Sequence, residues 1–330
     1  MFGNKIKSLL ALIVALMIIT LFSACGNDNT DSKDNVVVIG TMNLVNGDLI
    51  AQYEKWYESQ LGMKAKVITY DSGKDIISAL ASNSIDIAEA GTAPTALAVA
   101  NNLDIKVIFV GDVIGAAESL VAKNGSAATT IHELVDKKIA TPFASTAHYS
   151  LLNALKLEGL TEIDVQMFDM QPDDIFSAWQ HGEIDAAYVW YPVLGRLLED
   201  GITITNSGQL SEKGIVTADL IVVRNAFAEK HSDVVKKFVA LQIKANDMIL
   251  NDSAKATREI AAMLEVSDKD AAEQITQFKY LNVDDQIKML DETMAKTLKD
   301  TADFLVDQKA IKTAPSLEEF QAKVTSEYLK

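Results

Sequence analysis

The 330-residue chain is acidic: it carries 46 aspartate and glutamate residues against 30 lysine and arginine residues, a formal net charge of −16. This balance excludes a nucleic-acid partner and purely electrostatic docking on an anionic membrane, because both partners are negatively charged. The length exceeds that of one ordinary hydrophobic core, so two lobes are expected. An anionic ligand would have to be attracted locally, by dipoles and hydrogen-bond donors within a cleft.

Residues 1–24 have the pattern of an export signal: two lysines, an apolar run, and small residues directly before Cys25. The run is short for a bilayer-spanning helix, which needs about 20 residues. Cys25 is the only cysteine of the chain, which excludes an internal disulfide and a thiolate metal site. The segment Leu21–Cys25 resembles the lipobox of bacterial lipoproteins. We therefore expect cleavage before Cys25, a lipid on its thiol, and a flexible tether over residues 25–35.

The pattern from Val36 to Val223 alternates short β-branched runs with amphipathic stretches, which is typical of parallel α/β sheets flanked by helices. In chain order, strands are predicted at Val36–Gly40, Ala65–Tyr70, Asp86–Ala88, Ile105–Val110, Ser119–Lys123, Lys138–Ala140, Asp164–Phe168, Asp185–Val189 and Asp219–Val223. Helices are predicted at Asp48–Gln60, Lys74–Ser82, Pro94–Asn101, Ile131–Val135, Ala147–Leu157, Pro172–His181 and Pro192–Glu199. After Arg224 the chain is predicted to be helical through Gln308, with the apolar spacing of one-sided burial.

Two segments echo each other: ALASNSIDIAEAGTAP, which ends at Pro94, and AWQHGEIDAAYVWYP, which ends at Pro192. Each passes from a helix end through a polar turn and an Ile-Asp strand start to its proline. Proline suits the first position of a helix, because the N–H group that it lacks would be unpaired there. Ligands bind at the carboxyl edges of open parallel sheets. Two such units predict a cleft between two lobes, and chance similarity of small α/β units is the alternative.

The segment KKIATPFASTAHYSLLNAL, residues 137–155, places a hydroxyl-rich turn between an apolar strand and a helix. The unpaired N–H groups and the dipole at such a helix start can hold an oxyanion without any lysine or arginine. Ser145 and Thr146 are therefore candidate anion-binding residues, and Thr92 is a further hydroxyl donor. The alternative is that Ser145 or Thr146 only caps the helix.

Glu118 and Asp219 lie beside apolar strand residues, so each carboxylate would be desolvated at a cost unless it met a cation. A ligand ammonium is one such cation; a solvent-exposed strand edge or a pair with a structural Lys or Arg is the alternative. Trp190 or Tyr191 could supply an aromatic wall. No nucleophile-plus-base pair accompanies these residues, and the four histidines lack metal-ligand spacing. The sequence therefore favours a binding protein without cofactor or metal over an enzyme.

Four segments, ESLVAKN, KKIATPFASTAHYSLLNALK, SAWQHGEIDAAYVWYPVL and RNAFAEKHSDVVKKF, are similar in order and spacing to the periplasmic taurine-binding proteins of ABC importers, within the broader sulfonate, nitrate and thiamine-precursor group. The similarity spans about residues 36–244. It implies an α/β, bilobed periplasmic-binding-protein-like fold of type II, with two crossovers and a helical C-terminal part. Residues 36–117 with 219–330 would form lobe 1, and residues 118–218 would form lobe 2.

The resemblance also implies a division of roles between the ligand's two ends. Hydroxyl and amide donors around Thr92, Ser145 and Thr146 would hold the sulfonate of taurine. Glu118 and Asp219 would hold its ammonium. The ring of Trp190 would close over the ethylene linker. Further contacts are expected from Ser72, His148, Tyr149 and Tyr191. The aromatic residue that the family places near Ile221 is missing.

The implied function is capture of taurine or a related small sulfonate by an exported monomer, lipid-anchored through Cys25 on the outer face of the cell membrane or periplasmic. The closed form would deliver the ligand to an ABC permease with its ATPase subunits. A receptor for another aliphatic sulfonate, nitrate or an amine-bearing metabolite stays open. An enzyme on the same scaffold is the remaining alternative, although the clustered Cys and His of such enzymes are absent from this sequence.

Overall fold

The computed structural model describes residues 35–126 and 128–330. The predicted signal 1–24, the candidate lipid site Cys25 and nearly all of the predicted tether 25–35 lie outside the described residues. Within the described ranges, no helix is both long and apolar enough to cross a bilayer.

The first sheet holds strands from both ends of the chain: β1 (Val36–Thr41), β2 (Lys64–Thr69), β3 (Ile87–Gly91), β4 (Ile105–Ile114), β10 (Ala218–Arg224) and β11 (Phe278–Lys279). Their order is β11-β4-β10-β3-β1-β2. Strand β1 is parallel to β3, whereas β10 is antiparallel to both β3 and β4.

The second sheet is built from the middle of the chain: β5 (Glu118–Lys123), β6 (Lys138–Thr141), β7 (Gln166–Asp169), β8 (Ala186–Trp190) and β9 (Gly201–Asn206). Their order is β7-β6-β8-β5-β9. Strand β6 is parallel to β7 and β8, whereas β5 is antiparallel to β8 and β9.

The α/β class is confirmed, but both sheets are mixed rather than parallel. Strands β5 and β10, which run antiparallel to both of their neighbours, enter a sheet after the chain leaves the other one, beyond Ile114 and beyond Asn206 respectively. Parallel neighbours in one sheet need a long crossover connection, usually a helix. A strand that arrives from the other sheet is free of that requirement, so its direction does not follow from the alternation of strands and helices.

The helices of the described chain are α1 (Gly47–Tyr53), α2 (Trp56–Gln60), α3 (Gly73–Ala81), α4 (Thr92–Ala100), α5 (Thr146–Leu157), α6 (Pro172–His181), α7 (Val193–Leu197), α8 (Ser207–Ser211), α9 (Asn225–Lys230), α10 (Ser232–Asn251), α11 (Ser253–Leu264), α12 (Asp268–Ile275), α13 (Val283–Lys288), α14 (Ala295–Asp307) and α15 (Leu317–Gln321). A π-helical turn, Met289–Met294, joins α13 to α14. Helices α1, α2 and α10 pack on one face of the first sheet, and α3, α4 and α14 pack on the other.

Three local predictions need correction. The helix predicted over 48–60 is broken at Lys55, whose φ of 54° is left-handed, so α1 and α2 are separate. The segment 131–135 forms only a 3-10 turn, His132–Leu134. Strands β9 and β11 were not predicted, and β11 lies inside the C-terminal part that was predicted to be helical.

The two echoed prolines do not occupy the first helical position. Pro94 is the third residue of α4, which begins after its cap Gly91, and Pro192 directly precedes α7. Both positions still suit proline for the predicted reason, because the first N–H groups of a helix have no internal partner.

Candidate functional site

A partly open cavity lies between the two sheets, with about 410 Å³ of empty space that includes solvent at its mouth. Residues from both sheets and their helices line it: Met42, Leu44, Gly73, Gly91, Pro94, Ile114, Ala117, Glu118, Ser145, Thr146, Trp190, Asp219 and Phe278.

Three helix N-termini reach this cavity. Gly73 is the first residue of α3, Gly91 is the N-cap of α4, and Ser145 is the N-cap of α5. Each helix start carries N–H groups without internal partners and the partial positive charge of the helix dipole. Together they form an anion-binding wall that needs no lysine or arginine.

Ser145 acts as the cap of α5. Its Oγ accepts the N–H of His148 at 3.1 Å and donates to the carbonyl oxygen of Pro142 at 2.6 Å. The capping alternative drawn from the sequence is therefore correct for the hydroxyl of Ser145. The residue nevertheless lines the cavity, so the capped helix start faces the cavity.

Thr146 links the helix start to an acid. Its Oγ1 donates to Glu118 Oε2 at 2.6 Å, so its hydroxyl lies on the carboxyl side of the cavity. Among the described residues, no hydrogen bond uses the backbone N–H groups of Thr146 and Ala147. The donors that α5 offers to an anion are thus backbone groups rather than the predicted hydroxyls.

Glu118 and Asp219 face the cavity from different sheets and are only 1% and 5% exposed. Burial raises the pKa of Glu118 to about 8, although hydrogen bonds from Thr146 and Ser207 oppose the shift. Burial also raises the pKa of Asp219 to about 7, although the neighbouring carboxyl group of Asp112 opposes the shift. Neither carboxyl group has an ion-pair partner in the described part of the chain. The two alternatives drawn from the sequence do not apply: these acids lie neither at a solvent-exposed strand edge nor beside a structural Lys or Arg.

Two further acids, Glu89 and Asp112, lie behind Asp219 and were not among the predicted site residues. They are 2% and 0% exposed. Burial and the neighbouring carboxyl group of Asp219 raise the pKa of both well above the usual values. The carboxyl side of the cavity is therefore a cluster rather than a pair.

The apolar walls include one predicted and one unpredicted aromatic residue. Trp190 ends β8 and lies between this cavity and an outer cleft that Tyr70 and Asp71 also line. Phe278, on the two-residue strand β11, supplies an aromatic ring from the first sheet, on which the family's aromatic near Ile221 is missing. Two residues are too few for an alternating pattern, so the sequence carried no strand signal here.

Five predicted residues do not line this cavity. Thr92 is fully buried, and its Oγ1 has no hydrogen-bond partner within the described residues. The hydroxyl of Ser72 caps α3 and donates to Asp75 Oδ2 at 2.7 Å. Tyr149 packs edge-on against Phe304, with ring centroids 5.0 Å apart.

His148 and Tyr191 also point elsewhere. The ring of His148 stacks on Phe143 at 4.3 Å between centroids, and burial lowers its pKa to about 4. Tyr191 lines a separate cleft whose opposite wall includes Glu273. Both side chains have structural surroundings instead of a place in the cavity wall.

Gly91 on the first sheet and Thr146 on the second side of the cavity lie close together. A Cβ atom at Gly91 would lie 2.7 Å from Thr146 Cγ2 and 3.6 Å from Asp219 Oδ1. The φ of Gly91 is −63°, which any residue can adopt, so proximity alone requires glycine here. The start of α4 and the start of α5 are thus in contact across the cavity.

The acids are not arranged as metal ligands. Within residues 35–126 and 128–330, no group of three or more His, Cys, Asp or Glu side chains could hold a metal ion. What the site offers is an anion-binding wall and a facing group of carboxyl side chains, with apolar surface between them.

Two mixed sheets with a cavity between them define the periplasmic-binding-protein-like fold. The chain belongs to the NMT1/THI5-like family, whose model matches residues 44–256. It is 34% identical over 286 residues to the taurine-binding periplasmic protein of Escherichia coli K12, which covers 85% of this chain and 88% of that protein.

Two further comparisons agree with this assignment. A Bacillus subtilis 168 protein that is named as an aliphatic sulfonates-binding protein is 27% identical over 309 residues, 91% of this chain and 90% of that protein. The alkanesulfonate-binding protein SsuA from Xanthomonas axonopodis pv. citri, solved with MOPS, has the same fold, with a TM-score of 0.72 at 20% identity over 86% of this chain and 95% of that one. The relatives are binding proteins, and this chain is a binding protein rather than an enzyme.

Proposed function

We propose that this chain is the extracytoplasmic substrate-binding protein of an ABC importer and that its ligand is taurine, a zwitterionic sulfonate. One observation carries the proposal: three helix N-termini and two buried carboxyl groups line the same small cavity. The helix starts favour an anion, and the carboxyl groups favour a cation. A short ligand with one charge at each end satisfies both.

The sulfonate would accept hydrogen bonds from the N–H groups of Thr146 and Ala147 and face the starts of α3 and α4. The ammonium would donate to Glu118 and Asp219. The ethylene linker would lie against the ring of Trp190. The relatives named for taurine and for aliphatic sulfonates support the sulfonate class.

Capture would proceed by closure of two lobes, residues 36–117 with 219–330 and residues 118–218. Glu118 belongs to one proposed lobe and Asp219 to the other, so contacts from both would form only in the closed state. A ligand that binds the closed state better shifts the population toward it. A permease with its ATPase subunits would then recognise the closed form.

Export and anchoring complete the proposal. Residues 1–24 would direct export of a monomer, and a lipid on Cys25 would hold it to the outer face of the cell membrane, with residues 25–35 as a tether. The E. coli relative is itself named as periplasmic. Mass spectrometry of the membrane-extracted protein tests this part: a diacylated Cys25 at the N-terminus is expected, and an uncleaved chain would overturn it.

The ligand assignment is tested by calorimetric titration with three matched compounds at pH 8. Taurine has both charged ends, ethanesulfonate lacks the ammonium, and ethylamine lacks the sulfonate. Loss of either end is expected to weaken binding by roughly 1.5–3 kcal/mol, the scale of a charged hydrogen bond. Equal affinity for taurine and ethanesulfonate would favour a receptor for plain aliphatic sulfonates. Recovery of unaltered taurine after incubation checks that the ligand is bound and not consumed.

A further inference from the structure

The two acids behind Asp219 share its face of the first sheet. Asp112 on β4 is the direct cross-strand partner of Asp219. Glu89 on β3 pairs with Ile221, two residues along β10, and residues two apart on a strand point to the same side. Like charges placed opposite each other in a sheet repel, so three ionised acids here would destabilise the strands.

Hydrogen bonds to these acids are few. Asn46 donates through Nδ2 to Glu89 Oε1, and Asn46 and Asp219 are the polar neighbours of Asp112. Glu89 Oε2 and both carboxyl oxygens of Asp112 have no partner in good geometry within the described chain. Burying a carboxylate whose oxygens have no hydrogen-bond partner costs much free energy, whereas burying a protonated carboxyl group costs much less.

The other groups around the cluster are also acidic or neutral. Asp48 on α1 faces Glu89, and Glu118 on β5 faces Asp219 from the second sheet. The remaining titratable neighbours are the phenols of Tyr57 on α2, Tyr188 on β8 and Tyr280 after β11. In the described part of the chain, no lysine, arginine or histidine pairs with Glu89, Asp112, Glu118 or Asp219.

Asp48 contrasts with Asp112 in its hydrogen bonding, although burial raises the pKa of Asp48 as well. Its carboxyl oxygens accept from Thr41 Oγ1 at 2.5 Å, from Gln52 Nε2 at 2.6 Å and from the hydroxyl of Tyr57. Asp112 has none of these donors. The cluster can therefore stay buried without a ligand only by keeping protons.

We propose that Glu118 and Asp219 exchange protons for the ligand's ammonium, with Glu89 and Asp112 remaining protonated behind them, so that capture is coupled to proton release. The protons go to solvent as the ammonium N–H groups take their place on the two carboxylates. Glu89 and Asp112 act as positioning residues: neutral, they hold Asp219 in place without competing for the cation. The inference rests on the proposed function, since it needs a cationic end on the ligand.

The exchange also explains discrimination. A plain sulfonate brings no cation, so Glu118 and Asp219 would keep their protons and the site would stay neutral around it. A zwitterion gains two charged hydrogen bonds instead. The proton-linked acids, rather than the anion-binding wall, would then set the preference for amino sulfonates over other sulfonates.

The test is isothermal titration calorimetry of the purified protein with taurine at pH 6, 7 and 8, in pairs of buffers with different ionisation enthalpies. Because the pKa values of Glu118 and Asp219 are about 8 and about 7, release of about one to two protons per taurine is expected at pH 7. As the pH increases from 6 to 7, taurine affinity should rise about tenfold for each proton that is released on binding. Ethanesulfonate should bind without release.

Variants separate the roles. Glu118→Gln should remove about one released proton, whereas Glu259→Gln, a change at a buried acid outside the cavity, should leave the count unchanged. Asp112→Asn should keep the wild-type count, because Asp112 is protonated in both states. Taurine binding without proton exchange between pH 6 and 8 would overturn this inference and leave the proposed function standing. Absence of taurine binding at all three pH values would overturn both.

Discussion

The second sheet meets the cavity through the start of α5, where backbone N–H groups and a capped first turn supply positive character, and contributes one acid, Glu118. The first sheet contributes the starts of α3 and α4 but places three acids on one face beside them: Asp219, Glu89 and Asp112. The proposed anion end therefore depends on backbone geometry, which side-chain changes barely alter. The proposed cation end depends on titratable side chains, which single substitutions and pH can switch.

The largest effect is expected at the cation end. Glu118→Gln and Asp219→Asn each remove an ionisable partner of the ammonium and should weaken taurine binding at pH 8 by roughly 1.5–3 kcal/mol, the scale of a charged hydrogen bond. Binding of ethanesulfonate should change little. Titration calorimetry measures both, with Glu259→Gln as the control. Equal losses for the two ligands would mean that these acids support the fold rather than the ammonium.

The contact between the two halves can be broken by one methyl group. Gly91→Ala places a Cβ 2.7 Å from Thr146 Cγ2 and should weaken taurine binding by about 1–3 kcal/mol, the usual cost of overpacking. Thr146→Ser removes that Cγ2 and keeps the hydroxyl on Glu118. The double variant should therefore recover most of the lost affinity, and failure of this rescue would contradict the steric explanation.

The stability of the ligand-free protein should depend on pH in an unusual direction. In the folded protein, the pKa values of Glu118 and Asp219 are raised above their ordinary values of 4.5 and 3.8. Both groups therefore hold their protons more tightly in the folded state than in the unfolded state. The stability they contribute is therefore complete below about pH 4, and is lost as pH rises through about 7 and 8. Differential scanning calorimetry should show a falling Tm from pH 6 to pH 9, less steep in Glu118→Gln. A Tm that rises over this range would contradict the protonated cluster.

The smallest change is expected behind the site. Asp112→Asn keeps the shape and cannot ionise, so taurine affinity at pH 7 should stay within about threefold of wild type, below 1 kcal/mol. Calorimetric titration measures the taurine affinity of this variant and compares it with that of Asp219→Asn. A loss as large as that of Asp219→Asn would show that Asp112 is charged in the complex.

Sequence patterns could identify the parts of the site that depend on local structure. Ser145 and Thr146 follow a strand and open a helix, Glu118 and Asp219 start apolar strands, and Trp190 ends one; all five line the cavity. Helix starts and strand ends are local features, and in an α/β fold they gather at the sheet edges. The echoed segments and the resemblance supplied the pairing of the two halves, which a single local pattern does not contain.

The residues that were missed depend on long-range pairing. Asp112 becomes a neighbour of Asp219 only because β10 inserts between β3 and β4, more than 100 residues away along the chain. Phe278 reaches the cavity on a two-residue strand too short for an alternating pattern to indicate. The hydroxyl of Thr146 was assigned to the anion, but its partner Glu118 is set by the packing of α5 on β5.

A crystal structure of the protein with taurine would decide where each end of the ligand lies. We expect the sulfonate oxygens within hydrogen-bond distance of the N–H groups of Thr146 and Ala147, and the nitrogen within about 3.2 Å of carboxyl oxygens of both Glu118 and Asp219. Taurine bound with its nitrogen away from both acids, or outside the cavity between the two sheets, would contradict this expectation.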